Sequence, residues 1–248
     1  MARLIVISDV HANLQALEAV LAAVGEEEPG GFVVCGDLVG YGADPGPVLE
    51  RLFELPLRSM VAGNHDLAAV GRFPVEWFND IAAEALRWTA DQLPPHLLDA
   101  LRGLEASERS TEGLVVHGSV VEPASEYLMP EESQAATRSF EAEGFDRCFF
   151  GHTHVPTAFI RSPDGTVRGR AMREGERLDL EPGSRYLLNP GSVGQPRDGS
   201  PLAAFLVVDT EAASAEWRRA AYPVEEAQAR IRAAGLPRVL ADRLALGR

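Results

Sequence analysis

The sequence predicts an α/β (α+β) chain built on a mixed two-sheet β core, a β-sandwich flanked by helices. Three observations predict it. The N-terminal part alternates apolar strand-like runs with amphipathic helices, the pattern of βαβ units. From Pro156 onward the pattern changes to a meander of short strands. No internal repeat, linker or low-complexity segment interrupts the 248 residues, of which 46% are apolar. One domain over 1–248 is therefore expected, with a helical insertion at about 73–106 and a helical tail at about 223–247.

Taken in order, Arg3-Leu4-Ile5-Val6-Ile7-Ser8 is near-continuously apolar, as suits a central strand covered on both faces. Asn13 opens an amphipathic helix with Leu14, Leu17, Val20 and Leu21 on one stripe. Gly30-Gly31 breaks the chain before the strand Phe32-Val33-Val34-Cys35. These strands end in Ser8-Asp9-Val10-His11 and Gly36-Asp37, so both acidic clusters lie at strand carboxyl ends, where open α/β sheets bind ligands. Gly40-Tyr41-Gly42-Ala43-Asp44-Pro45-Gly46 is not a dinucleotide loop, because Pro45 takes the third-glycine position and the loop comes too late after its strand. A helix carrying Val48, Leu49, Leu52 and Phe53 follows. A third strand, Leu57-Arg58-Ser59-Met60-Val61-Ala62, then ends in the polar loop Gly63-Asn64-His65-Asp66.

Residues 73–106 have helical spacing, with Pro94-Pro95 starting a second helix through Leu104. Their aromatics read as core contacts, with Trp77 or Phe78 as the alternative substrate wall. Leu114-Val115-Val116 delivers His117-Gly118-Ser119. An acidic loop at 122–134 and a helix at 133–143 lead to Cys148-Phe149-Phe150 and Gly151-His152-Thr153-His154. Strands at about 157–161 and 166–172 flank the turn Pro163-Asp164-Gly165. Tyr186-Leu187-Leu188 runs into Asn189-Pro190-Gly191-Ser192-Val193-Gly194-Gln195-Pro196-Arg197-Asp198. Ala203-Ala204-Phe205-Leu206-Val207-Val208 is a further strand that Ser214 to Ala220 can pair with, and Gly235-Leu236-Pro237 breaks the helical tail.

Composition removes several functions. No residue is lysine, which excludes a Schiff-base mechanism and a lysine-bearing P-loop. The Gly-x-Ser-x-Gly elbow is also absent, since Pro190 stands where its first glycine belongs. A net charge of −14 opposes general nucleic-acid binding. It leaves room for a phosphorylated substrate, because a bound metal would dominate the local field. No apolar run approaches a membrane span, and the N-terminus does not read as a signal peptide, so a cytoplasmic protein with no membrane partner is expected. Cys35 and Cys148 read as buried structural thiols.

Of six histidines, five stand beside glycine or acidic residues directly after apolar runs; only His96, read as solvated at a helix start, does not. His152 and His154, at i and i+2 beyond an extended segment, point to the same side. Together the strand ends offer Asp9, His11, Asp37, Asn64, His65, His117, His152 and His154. Carboxylate, carboxamide and imidazole without thiolate suit Mn, Fe, Zn or Ni better than Ca or Mg. The donors are too many for one tetrahedral ion. Two divalent ions sharing one carboxylate would use them and would clamp an in-line phosphoryl displacement by a hydroxide of lowered pKa.

In this order, Asp-x-His, Gly-Asp, Gly-Asn-His-Asp, His-Gly and Gly-His-x-His resemble the calcineurin-like metallophosphoesterase family. Asn189-Pro190-Gly191-Ser192-Val193-Gly194 resembles its small prokaryotic phosphodiesterase-like branch. The resemblance implies a β-sandwich flanked by helices. It implies that Asp9, His11 and His154 hold one metal, that Asp37 bridges, and that Asn64, His117 and His152 hold the second. His65 would then be the proton donor to the leaving alkoxide. Many phosphatases of the family continue Gly-Asp with x-x-Asp-Arg-Gly, whereas this chain has Gly36-Asp37-Leu38-Val39-Gly40. Asp66 or Asp44 is left to orient His65, and Arg197 to contact phosphate. Loss of that arginine favours diesters or small, nucleotide-like phosphate esters over a protein phosphatase. A phosphomonoesterase and a non-catalytic protein-binding scaffold of the same fold are the alternatives.

Overall fold

The computed structural model describes residues 3–25, 29–142 and 144–248. Two six-stranded mixed sheets stack face to face. In the first, β1 (Arg3–Ile7), β2 (Gly31–Val34) and β3 (Leu57–Met60) run parallel. β11 (Ala203–Asp209), β12 (Ser214–Ala220) and β9 (Arg177–Asp179) extend it antiparallel, in the order β3-β2-β1-β11-β12-β9. The second contains β4 (Ser107–Ser110), β5 (Gly113–Val116), β6 (Arg147–Phe149), β10 (Arg185–Asn189), β7 (Thr157–Arg161) and β8 (Val167–Ala171), in that order. Its central strands β5, β6 and β10 are parallel.

Side-chain alternation builds the layers. Leu4, Val6, Val33 and Cys35 of the first sheet meet Val115, Phe149 and Leu188 of the second in a core between the sheets, closed by the buried Trp217. The intervening residues Ile5, Ile7, Phe32 and Val34 face outward, where α1 (Leu14–Val24) seats Leu17 and Val20. The other outer layer is thinner. There Phe140 of α6 (Ser133–Ala142) packs with Leu187, Cys148 and Phe159. Cys35 and Cys148 are both buried and free. The predicted helix end at 143 lies outside the described residues.

Three local readings change. Residues from Asn64 form a short helix, α3 (Asn64–Ala69), because the Asp66 carboxylate accepts from the Gly63 N–H at its N-terminus. The second helix of the insertion stops early. After α2 (Pro45–Phe53), α3 and α4 (Asp80–Gln92), α5 (Pro95–Arg102) ends at Gly103, short of Leu104. β4 and β9 were not expected, since Ser107-Glu108-Arg109-Ser110 and Arg177-Leu178-Asp179 are polar edge strands held by ladder bonds rather than by burial. The tail forms α7 (Val224–Ala233) and α8 (Arg238–Asp242), which pack on the first sheet's outer layer through Ile231 and Leu240. Among the described residues, no helix is long and apolar enough to cross a membrane.

Candidate metal centre

The parallel strands of both sheets end at the same rim. Asp9 and His11 follow β1, Asp37 follows β2 and Asn64 follows β3, while His117 follows β5 and His152 and His154 follow β6. Turning the chain inward there forces unusual backbone. Asp9 (φ 53°), His11 (48°), Asp37 (53°), His152 (67°) and His154 (58°) are all left-handed. Such conformations cost roughly 1–2 kcal/mol each in non-glycine residues and gather at functional sites. Close packing accompanies the strain. A Cβ on Gly63 would strike the Asp37 carboxylate, and one on Gly151 would strike the Ser8 hydroxyl.

Two donor groups result, Asp9 with His11, Asp37 and His154, and Asp37 with His117 and His152. Within each group the donor atoms lie within 4.8 Å of one another, and Asp37 is common to both. The Asn64 carboxamide oxygen lies 3.2 Å from His117 Nε2, beside the second group. All seven predicted ligands are thus brought together, six of them buried and Asn64 half-buried.

Backbone carbonyls orient the imidazoles. His11 Nδ1 meets Val39 O at 3.0 Å, His154 Nδ1 meets Gln195 O at 2.5 Å, His117 Nδ1 meets Cys35 O at 2.8 Å and His152 Nε2 meets Ser125 O at 3.1 Å. A carbonyl only accepts, so each of those nitrogens carries a hydrogen and the other ring nitrogen is turned into the cluster. His11 Nε2 and His154 Nε2 then face each other at 3.1 Å, with Asp9 Oδ1 3.3 Å from the latter and Asp37 Oδ2 3.5 Å from the former. Burial, above all, pushes both rings well below the ordinary histidine range, so both are neutral. Neither ring places a hydrogen between these two facing lone pairs, which stand beside Asp9 and Asp37. This donor set fits a divalent cation.

The second group differs in charge. Burial lowers His117, but the Asp37 charge and hydrogen bond outweigh it and lift the ring to about 9. Burial raises Asp37, and the neighbouring imidazoles, His117 foremost, bring it well below the carboxylate range. Burial pushes Asp9 up to about 7, while His152 is held down at about 3, first by burial and then by His117.

His65 is buried next to the first group. Its ring lies edge-on to His11 at 4.8 Å between centroids, 4.4 Å from Tyr41 and 4.9 Å from Phe78. Burial holds it at about 4, and its Nδ1 has no hydrogen-bond partner among the described residues. Neither expected orienting carboxylate reaches it. Asp66 accepts from the N–H groups of Leu38 (2.9 Å), Val39 (3.0 Å) and Gly63 (2.9 Å), and so fixes the loop after Asp37. Asp44 is engaged by the Arg230 guanidinium, with Nε 2.7 Å from both carboxylate oxygens. Steric enclosure by Tyr41, Phe78 and Gly40, where a Cβ would collide with the ring, positions His65 instead.

The loop after β10 ties the rim together. Asn189 donates to Gly151 O at 2.8 Å, and the Ser192 hydroxyl donates to Asp9 O at 2.8 Å. This loop ends in Arg197, whose guanidinium lies 5.9 Å above the Tyr41 ring and donates to Gln195 Oε1 at 3.0 Å. Burial raises the phenols of Tyr41 and Tyr127 and the nearby Arg197 charge works against it, while Tyr127 stacks on His152 at 3.8 Å. Tyr41, Tyr127 and Gln195 escaped the sequence reading. For Tyr41 a signal exists, an aromatic between Gly40 and Gly42 with φ 62°; Tyr127 and Gln195 carry none, because they act through three-dimensional placement.

A helix-flanked pair of mixed sheets with an Asp/His metal-binding cluster at their shared rim defines a metallophosphoesterase, a hydrolase of phosphoric esters. The calcineurin-like phosphoesterase superfamily domain matches residues 2–213. The chain belongs to that family. Its fold matches a metallophosphoesterase from Sphaerobacter thermophilus with a TM-score of 0.88 and 40% identity, over 100% of this chain and 99% of that one. A hypothetical protein from Pyrococcus horikoshii OT3 shares the fold at a TM-score of 0.79 and 18% identity, over 100% and 99% of the two chains. An uncharacterized protein of Methanocaldococcus jannaschii is 34% identical over 248 residues, 98% of this chain and 97% of its own length.

Proposed function

We propose that the protein hydrolyses small phosphodiesters, including nucleotide-like ones, with two divalent transition-metal ions (Mn, Fe, Zn or Ni) held by the two donor groups. The observation that carries this reading is the sharing of Asp37 between them. Asp9, His11 and His154 would complete the first position, and Asn64, His117 and His152 the second. Bound there, the ions supply Lewis acidity and a water of lowered pKa.

The chain's own groups do the rest. Arg197 brings a cation to the rim and takes the phosphate charge. His65 is neutral in the free site. An anionic ester beside it raises its pKa and equips it to protonate the departing alkoxide. No arginine follows Asp37 in the segment Leu38-Val39-Gly40, so the second charge of a monoester lacks a partner there, which favours diesters. The net charge of −14 disfavours polymeric nucleic acid and favours a small substrate. Two buried free thiols suit a reducing, cytoplasmic setting.

The test is an assay of metal-stripped protein reloaded with Mn, against matched aryl phosphodiester and phosphomonoester. Metal-dependent turnover dominated by the diester supports the reading. Monoester preference assigns a phosphatase. Absence of turnover with two ions verified bound assigns a scaffold.

A further inference from the structure

A groove of about 340 Å³ lies beside the metal centre, between the start of α4 and the helix α8. Its floor is made by buried Tyr41 and Leu240, and its sides carry Ile81 from α4 and Val239 from α8. Tyr41 joins the groove to the chemistry, because the same ring lies 4.7 Å from His11 and 4.4 Å from His65. The volume is near the lower end of the range for small-molecule sites, roughly 300–1,000 Å³. Ile81 and Val239 are 40% and 47% exposed, among the few large apolar side chains left in water. Both stand where a ligand entering the groove would cover them.

We infer that this groove receives a nucleobase, so that the substrate is a phosphodiester of a nucleoside. The inference rests on the phosphodiester reading above and names its substrate class. Aliphatic side chains on two different helices offer surfaces for the two faces of a flat ring, and the aromatic floor offers a third apolar contact. Polar groups at the groove supply the remainder. Asp80 offers an acceptor and Arg243 a donor, a mixed pair that suits the edge of a heterocycle and gives nothing to an alkyl chain. Tyr41 borders both the groove and the His65 niche, so a base in the groove lies across that ring from His65. The C-terminal helix α8 thereby becomes part of substrate selection.

The experiment compares thymidine 5′-(p-nitrophenyl phosphate) with methyl p-nitrophenyl phosphate on Mn-loaded protein. Both release the same leaving group, so the kcat/KM ratio reads the organic group alone. The expected ratio is roughly tenfold or more in favour of the thymidine ester, as stacking on apolar walls gives. In Ile81→Arg and Val239→Arg, both at surface positions, it falls toward one. A ratio near one in the native protein, or an unchanged ratio in both variants, overturns the inference. So does a cyclohexylmethyl ester used as well as the thymidine ester, which would assign the groove to apolar alcohols. If no ester turns over, the hydrolytic reading fails, and calorimetric titration decides the groove separately. Thymidine monophosphate should bind the native protein roughly tenfold more tightly than Val239→Arg. Equal affinities, or no preference over methyl phosphate, count against it.

Discussion

His65 stands in a buried niche with one ring nitrogen unbonded and both neighbouring aspartates engaged elsewhere. Its orientation is a packing effect, and burial outweighs the pull of the Asp37 charge, so the ring is neutral. Replacing His65 by Ala should leave both donor groups intact and slow esters with poor, alkyl leaving groups by about a hundredfold or more, the usual contribution of a positioned acid. Aryl esters should slow far less, because their leaving groups depart without a proton. A plot of log kcat/KM against leaving-group pKa checks this, and an unchanged slope sinks the proton-donor role. The residue scale is also where sequence was most readable. Asp9, His11, Asp37, Asn64, His117, His152 and His154 announce themselves as polar residues at the ends of apolar runs. Asp66 shows the opposite case. A carboxylate next to His65 in sequence turns back to three backbone N–H groups, a destination that spacing does not encode.

At the scale of elements, the tail and the site loop are joined by the Asp44–Arg230 pair. Asp44 precedes α2 and is 2% exposed, whereas the Arg230 side chain on α7 is 50% exposed. Arg230→Ala leaves a buried carboxylate without its cation. The expected loss is about 1–3 kcal/mol, below the value for a fully buried pair because water reaches the guanidinium. Thermal unfolding of the native protein and the variant, at equal metal content, measures it; a shift within error would mean the pair is not needed. Turnover should also fall, since the loop carrying Tyr41 is anchored at Asp44, whose N–H donates to Ala12 O at 3.0 Å. Elements were legible where burial dictates them. The apolar runs of β1, β2, β6, β10 and β11 and the stripe of α1 could be read directly. β4 and β9 could not, because a polar edge strand is decided by its neighbour's free ladder, and neither is helix α3, which depends on a cap from Asp66.

For the whole molecule, the metal-free rim should carry protons that metals displace. Asp9 at about 7 and His117 at about 9 are both protonated below neutrality, and both must release a proton to act as ligands. Metal affinity should therefore rise with pH up to about 9, by up to about a hundredfold per unit below about 7, where both protons are displaced, and up to about tenfold per unit from about 7 to 9, and level off above. Calorimetry of Mn binding in buffers of different ionisation heat counts the protons; zero release at pH 7 would show that those sites are already empty of them. The same rim has a mechanical side. Donors from the first sheet (Asp9, His11, Asp37) and from the second (His117, His152, His154) converge there, so ions bound between them would act as rivets through two laminated plates. Away from that rim the plates adhere through the interleaved side chains of their core and through cross-sheet hydrogen bonds such as those of Glu108 on β4 with the Ser59 hydroxyl and the Met60 N–H on β3. Stripping the metal should open the laminate from the riveted margin. Amide exchange at His11, Leu38 and His152 should then accelerate well ahead of exchange at Leu187 and Val207, deep in the strands.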